Sequence, residues 1–312
     1  MKELTLADQG EFCYTISASN EPRLRIEPGE TVRIETEDTT SGQIKKEGDV
    51  RDRKKVPYAN PQSGPIYVNG AKDGDTLAVK IEDIRPLTDR GITRIVSFWY
   101  ASSQNTSLIH KFLDVEGIVP DKARICKIRD STVYFDRFAL PYRPMIGTVG
   151  TANPVETRLS AQISDCGGNM DIPEVTTGAT LYLPVRVEGA LLHLGDVHAI
   201  QGDGELAGSG VEIPSSTTLT IDVIREEGQQ AARQARIENN DAIYSIATTK
   251  EGRGLEDAIH LAYLDLVMWI ERKYSVDRWL AFELVSLTAK IRLGNLWAVA
   301  VGMPRKYLEI GK

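Results

Sequence analysis

The sequence predicts a mainly β fold, a sandwich or barrel, with an α+β C-terminal part. Three observations carry that reading. Up to about residue 225 the chain alternates apolar and polar positions in short runs separated by Gly and Pro turns. Beyond residue 255, two segments repeat apolar residues at helical spacing instead. The composition, 41% hydrophobic and 26% charged over 312 residues, is that of a globular chain long enough for a sizeable core. The expected organisation is a β region over 1–225 carrying the functional site and an α+β region over 226–312.

Taken in order, "RLRIEPGETVRIET" (23–36) alternates across a Pro-Gly turn, and "GDTLAVKIEDI" (74–84) puts Leu77, Val79 and Ile81 on one face. Gly29-Glu30 and Gly74-Asp75 each read as a tight turn feeding a strand. The same period recurs in "STVYF" (131–135), "TLYLPVRV" (180–187) and "TTLTIDVI" (217–224). The polar stretch "REEGQQAARQARIENND" (225–241) reads as a linker or an exposed helix. In "LEDAIHLAYLDLVMWIERKY" (255–274) the stripe Ile259, Tyr263, Leu266 and Ile270 faces a core, with His260 a partly buried structural residue at its flank. In "SVDRWLAFELVSLTAKI" (275–291) the stripe is Leu280, Leu284, Leu287 and Ile291, with Ser275 as N-cap. "LWAVAVGMP" (296–304) is a closing strand.

Composition also excludes classes. A net charge of −7 argues against nucleic-acid binding, and the one basic run, "KKEGDVRDRKK" (45–55), is diluted by Glu47, Asp49 and Asp52 and reads as a solvated loop. Cys13, Cys126 and Cys166 are distant and odd in number, so neither a disulfide framework nor a zinc ribbon is expected. No membrane span and no export signal is expected, and with free thiols the expected location is the cytoplasm. No Gly-x-Ser-x-Gly elbow, Walker loop or dinucleotide fingerprint is present.

Chemistry concentrates in "LHLGDVHAIQGDGELAG" (192–208), which holds two of the four histidines. In an extended segment Asp196 and His198 project from one face, and His193 from the other. Asn169 and Asp171 repeat the i, i+2 relation in "CGGNMD" (166–171). Two such pairs on neighbouring strands would bring an imidazole and several oxygens together, a donor set for zinc, or for manganese, iron(II) or calcium where oxygens dominate. The competing reading is a set of hydrogen-bonded turns, the Asp-Gly-Glu stretch being a good hairpin turn by itself. Cys166 reads as a bystander, since nothing in the sequence places a base beside it.

The run "GGNMDIPEVTTGATLYLPVRVEGALLHLGDVHAIQGDGELAGSGVE" (167–212) resembles the core signature of the acetamidase/formamidase family. "IETEDTTSGQI" (34–44), "NPQSGPIYVNGAKDGDTLAVKIEDI" (60–84), "PMIGTVGTA" (144–152) and "SLTAKIRLGNLW" (286–297) extend the resemblance over nearly the whole chain. The resemblance implies a jelly-roll-like β-sandwich plus a smaller β unit and C-terminal helices. It also implies hydrolysis of short-chain amides, formamide or acetamide, to acid and ammonia, in a metal-containing site of a homodimer or higher homo-oligomer. A lactam or other carbon–nitrogen substrate, or a non-catalytic sandwich binding a small ligand, is the alternative. Cys166, Lys290 and Asn295-Leu296-Trp297 depart from the family's wording.

On that reading Asp171, Asp196 and His198 are the expected ligands of a divalent metal, zinc first, with calcium or manganese as alternatives. The metal lowers the pKa of water and polarises the amide carbonyl. Glu205 is the first choice for the proton shuttle, with Glu35 and Glu212 next. The Gly167-Gly168 amides are expected at the oxyanion, and Asn169 and Gln201 about the substrate.

Overall fold

Alternating apolar positions build two large sheets in the computed structural model, which describes residues 1–96, 123–225, 232–249 and 254–309. The first has nine strands in the order Lys2–Leu4, Glu30–Thr36, Ser215–Ile224, Thr76–Pro86, Thr180–Pro184, Arg236–Glu238, Ala242–Thr248, Ala298–Pro304 and Lys290–Leu293. The second has eleven. Its path runs from Phe138–Pro141 through Thr132–Phe135, Ala123–Arg129, Arg90–Arg94 and Glu212–Ile213 to the central strand Leu192–His198. It continues through Met145–Gly150 and Gly167–Asn169 to Ile163–Ser164, while Gln62–Val68 joins Leu192–His198 from the side and carries Leu24–Ile26.

One core joins the sheets. Ile34, Leu77, Val79, Ile81 and Leu219 from the first meet Ile66, Ile146, Leu192, Leu194 and Val197 from the second, all of them buried. The Pro28-Gly29 turn is the corner between the layers. Gly29 adopts φ +82°, and the strands on either side of it join different sheets, so the two halves of "RLRIEPGETVRIET" do not pair.

A second core forms where helix Leu255–Tyr274 covers the far face of the nine-stranded sheet. The strand Ala298–Pro304 divides its side chains by strict alternation. Ala298 and Ala300 enter the inter-sheet core, whereas Val299, Val301 and Met303 pack on the helices. Leu266 and Ile270 of the predicted stripe are buried there, with Ile259 and Tyr263 at its margin.

Three expectations fail in this region. The second helix runs Arg278–Thr288 and is capped by Asp277, whose carboxylate accepts from the Trp279 and Leu280 amides at 3.0 and 3.1 Å. Ser275 instead ends the first helix in a left-handed conformation. Ala281 and Val285 are the buried residues of the second helix, while Leu280 and Leu287 are 57% and 82% exposed and Ile291 lies in a strand. His260 is exposed, because it follows Ile259 by a 100° turn of the helix.

The polar stretch 225–241 is likewise no helix in its described part. Residues 226–231 lie outside the described residues, and Arg236–Glu238 is a strand. Its Arg236 is buried against Asp265 with two bonds of 2.8 and 2.7 Å, and the Ser245 hydroxyl donates to the same carboxylate at 2.7 Å. A bidentate partner satisfies the guanidinium, so a charged residue does not mark exposed chain here. Residues 45–55 form no helix or strand.

Candidate functional site

The central strand sets the site. His198 lies directly opposite Glu212 on one neighbour and Met145 on the other. Residues opposite one another across an antiparallel pair share a face, so Glu212 meets the imidazole, its Oε2 3.1 Å from His198 Nε2. Asp196, two residues back, brings Oδ1 to 3.5 Å from the same nitrogen. Asp171 follows the strand Gly167–Asn169, and Glu205 comes from loop 199–211. That loop is a broad connection folded onto the C-terminal strands through a bridge from Gly204 to Asn295, not a tight hairpin.

These five side chains are at least 90% buried and form two overlapping triads, Asp171–Asp196–His198 and His198–Glu205–Glu212. Within each triad the candidate ligand atoms lie within 4.8 Å of one another. Asp171, Asp196 and Glu205 all adopt left-handed backbone, with φ of +52°, +57° and +44°. Strain of that kind persists only where the surrounding structure enforces it. Gly147 makes room for two of them: a Cβ there would stand 2.4 Å from Asp171 Oδ1 and 3.0 Å from Asp196 Oδ2.

The polar partners of the cluster are specific. Gln201 Nε2 donates to the Asp171 carbonyl at 2.8 Å, which turns Gln201 Oε1 toward His198 Nδ1 at 2.7 Å. Nδ1 therefore carries a hydrogen toward Gln201, and Nε2 is the ring nitrogen turned into the cluster. Asn60 Nδ2 donates to Asp196 Oδ2 at 2.9 Å and to Asn169 Oδ1 at 3.1 Å, and the single Thr148 hydroxyl proton is within reach of Asn169 Oδ1 at 2.6 Å and Asp196 Oδ2 at 3.1 Å. Asn295 Nδ2 donates to Asp171 Oδ2 at 2.9 Å, and Ser209 to Glu212 Oε1 at 3.0 Å. Three atoms remain without a hydrogen-bond partner although fully buried: Asp171 Oδ1, His198 Nε2 and Glu212 Oε2. The contact between the last two is close but not aligned as a hydrogen bond.

Electrostatics follow from four carboxyl groups around one imidazole. Burial, then the neighbouring Asp196, pushes the Asp171 carboxyl up to about 7, and burial with Glu212 pushes Asp196 up to about 6. Burial and Asp171 raise Glu205 well above the usual carboxylate range. Burial works against the His198 imidazolium, yet Glu212 and Asp196 outweigh it and hold His198 well above its ordinary value. Buried oxygens without donors, an imidazole nitrogen locked inward and an excess of negative charge fit a divalent cation.

Other expected residues stand elsewhere. Glu35 belongs to neither triad; its Oε2 accepts from the Leu6 amide at 2.9 Å. Gly167 and Gly168, at φ +93° and +114°, let strands approach closely: a Cβ on either would stand 2.4 or 2.5 Å from a backbone oxygen. Gln201 spends both ends of its amide on His198 and backbone carbonyls. Cys166 is buried and none of the three cysteines is disulfide-bonded. His193 is buried apart from the cluster, with Nδ1 on the Leu191 carbonyl and Nε2 on Asn20, both at 2.9 Å. The sequence reading missed Asn60 and Thr148 as supports and took Asn295 only as a departure. Gly147 in "PMIGTVGTA" and Gly294 before Asn295 were the available signals. A Cβ on Gly294 would stand 1.9 Å from the Met170 carbonyl, so that glycine docks Asn295 onto Asp171.

The cluster opens on a cleft of about 550 Å³ lined by Asn60, Asn169, Asp196, Glu205 and Glu212 on its polar side and by Val96, Leu159, Ile163 and Trp297 on its apolar side. Asn169 reaches the cleft with Oδ1 already occupied, which leaves its amide N–H groups for a ligand. No helix among the described residues is long and apolar enough to cross a membrane.

A two-layer β fold with a buried acid–histidine cluster at one end of a glycine-shaped strand defines the class, and the comparisons place the chain within it. It belongs to the Acetamidase/Formamidase family, whose pattern matches residues 19–162 and 159–291. Its fold is similar to that of an acetamidase from Yersinia enterocolitica, with a TM-score of 0.88 and 36% identity over 98% of this chain and 92% of that one. It is 30% identical over 257 residues to an acetamidase of Mycolicibacterium smegmatis and 24% identical over 248 residues to a formamidase of Methylophilus methylotrophus. Each match takes in 64% of this chain, and they span 63% and 61% of those relatives' own lengths.

Proposed function

We propose that the protein is a metal-dependent amide hydrolase that converts short-chain amides such as formamide and acetamide to the carboxylic acid and ammonia. The observation that carries this reading is that Asp171 Oδ1, His198 Nε2 and Glu212 Oε2, from the two triads that share His198, are buried without hydrogen-bond partners. Family membership supports the reaction class.

His198, Asp171 and Asp196 hold the cation, with Glu212 beside them. A divalent ion bound there supplies Lewis acidity, favouring deprotonation of water near neutral pH and polarising a carbonyl oxygen. One nitrogen among several carboxylate oxygens favours zinc, with manganese or calcium as the harder alternatives. The Asn169 amide group donates to the substrate carbonyl from the cleft wall. Burial and Asp171 raise the Glu205 carboxyl well above the usual carboxylate range, which favours its protonated form and suits it to deliver a proton to the departing nitrogen. The apolar wall formed by Leu159, Ile163 and Trp297 takes the acyl side and excludes water. A second copy of the chain is the proposed cover for the exposed Trp279, Leu280, Phe282 and Leu287 on the second helix.

The test is ammonia release from formamide, acetamide, propionamide and a small lactam, run on protein as purified, after chelation, and after restoring zinc, manganese or calcium. Activity on a linear amide that chelation abolishes and one metal restores is the expected result. Turnover that survives complete metal removal, or none on any amide with metal bound, contradicts the proposal.

A further inference from the structure

One strongly polar group in the cleft has no use in the reaction just described. Arg94 is 7% exposed and lines the same cleft as Asp196, Glu205 and Glu212. Among the described residues no hydrogen bond or ion pair reaches its guanidinium, and its Nε is fully buried without a partner. The contrast within the cleft is direct, since Arg158 pairs with Glu156 at 2.9 Å. A desolvated guanidinium without an anion is costly, and arginine cannot shed its proton to escape that cost.

The strand register fixes where this charge stands. Glu212 lies opposite Ile92, and Arg94 follows Ile92 on the same face. Two residues of strand place it about 7 Å further along the sheet. The direction is away from Asp196, because the ladder runs from His198 to Glu212 to Ile92 and Asp196 lies on the other side of that row. The cleft thus has a cation-binding acidic end, Glu212 in the middle and a lone cation at the opposite end. A neutral formamide or acetamide offers Arg94 nothing.

We propose that Arg94 is a specificity residue that binds a carboxylate on the substrate, so that the preferred amides are monoamides of short dicarboxylic acids, with the amide at the acid–histidine cluster and the carboxylate on the guanidinium. This rests on the amide-hydrolase reading. The guanidinium fork matches a carboxylate in two parallel bonds, and a bond of that kind to a desolvated charge changes affinity by roughly 10- to 100-fold. A cleft of about 550 Å³ has room for such a chain.

Ammonia release is measured from succinamate and from its uncharged isostere succinamide with wild type, Arg94→Gln and Arg94→Lys. Binding of succinate is measured by calorimetry on the same three proteins. The expected result is a wild-type preference for succinamate and a KM for it that rises roughly 10- to 100-fold in Arg94→Gln, with succinamide changing less than about threefold. Arg94→Lys should recover part of the loss, and succinate binding should weaken in parallel. The melting temperature of Arg94→Gln should not fall, since the replacement removes an unpaired buried charge.

Equal loss on both amides with a lowered melting temperature would mean that Arg94 only supports the fold, and overturns the proposal. So does a wild type indifferent to the carboxylate, or an Arg94→Gln variant that loses inhibition by acetate without losing substrate preference, which would assign Arg94 to the product. Ammonia from acetamide with no carboxylate preference sinks this inference alone. Succinate held through Arg94 with no turnover of any amide sinks the hydrolase reading and leaves the anion site standing.

Discussion

His198 Nδ1 and Gln201 Oε1 lie 2.7 Å apart, and the other end of the Gln201 amide is fixed on the Asp171 carbonyl at 2.8 Å. One glutamine thereby sets the tautomer of the candidate metal ligand and ties it to the segment that carries a second ligand. Replacing Gln201 by Leu should leave the fold intact and weaken metal affinity about 10- to 100-fold, as is usual when the outer partner of a ligand is lost. Metal retained after dialysis against a weak chelator measures this. Activity of Gln201→Leu should return at high metal concentration, and unchanged retention would contradict the assignment.

Gly147 is the second handle on the cluster. A methyl group there would stand 2.4 Å from Asp171 Oδ1 and 2.7 Å from the Asp196 carbonyl. Gly147→Ala should cost about 1–3 kcal/mol of stability through overpacking and lose metal even where the protein folds. Chemical denaturation and metal analysis together check this, and a variant with wild-type metal content would count against the tight packing.

The Arg236–Asp265 pair anchors the polar segment whose sequence reads as a linker or an exposed helix. Asp265→Ala leaves a buried guanidinium beside Ser245 with no counter-charge, and should destabilise the protein by about 3–5 kcal/mol. Urea unfolding measures it. A loss below about 1 kcal/mol, the range of surface pairs, would show that water reaches the site.

His193 gives a pH-dependent prediction separate from the metal cluster. Burial pushes its pKa down to about 4, outweighing the Leu191 carbonyl, which accepts from Nδ1 and works the other way. Its unfolded value lies near 6.5, so below that pH the unfolded chain binds a proton that the folded chain refuses. Stability is therefore lost as pH falls from about 6.5 to about 4, amounting to about 3 kcal/mol. His193→Gln should abolish that share of the acid sensitivity. The stability difference between wild type and variant, measured by denaturation at pH 7.5 and pH 4.5, should move in favour of the variant at low pH, and a constant difference would contradict it.

Period-two alternation was enough to place Leu77, Val79 and Ile81 in the core and to bring Asp196 and His198 to one face. It cannot supply cross-strand register, which is why Glu212 ranked behind Glu205 although it faces His198 directly. Asn60, Thr148 and Arg94 were invisible for the same reason: each meets the site from a different strand or loop, and only topology brings them together. The second helix misled because its large apolar residues face outward while small Ala281 and Val285 make the contact. Arg236 misled in the opposite sense, as a charged residue buried with its partner.

The central claim is that Asp171, Asp196 and His198 bind a divalent cation. The most direct measurement is elemental analysis of purified wild type and His198→Ala after equilibrium dialysis against zinc, run beside ammonia release. The account predicts about one tightly held metal per wild-type chain, lost together with activity in a folded His198→Ala protein. Equal metal content in the two proteins, or full activity in a metal-free wild type, would contradict it.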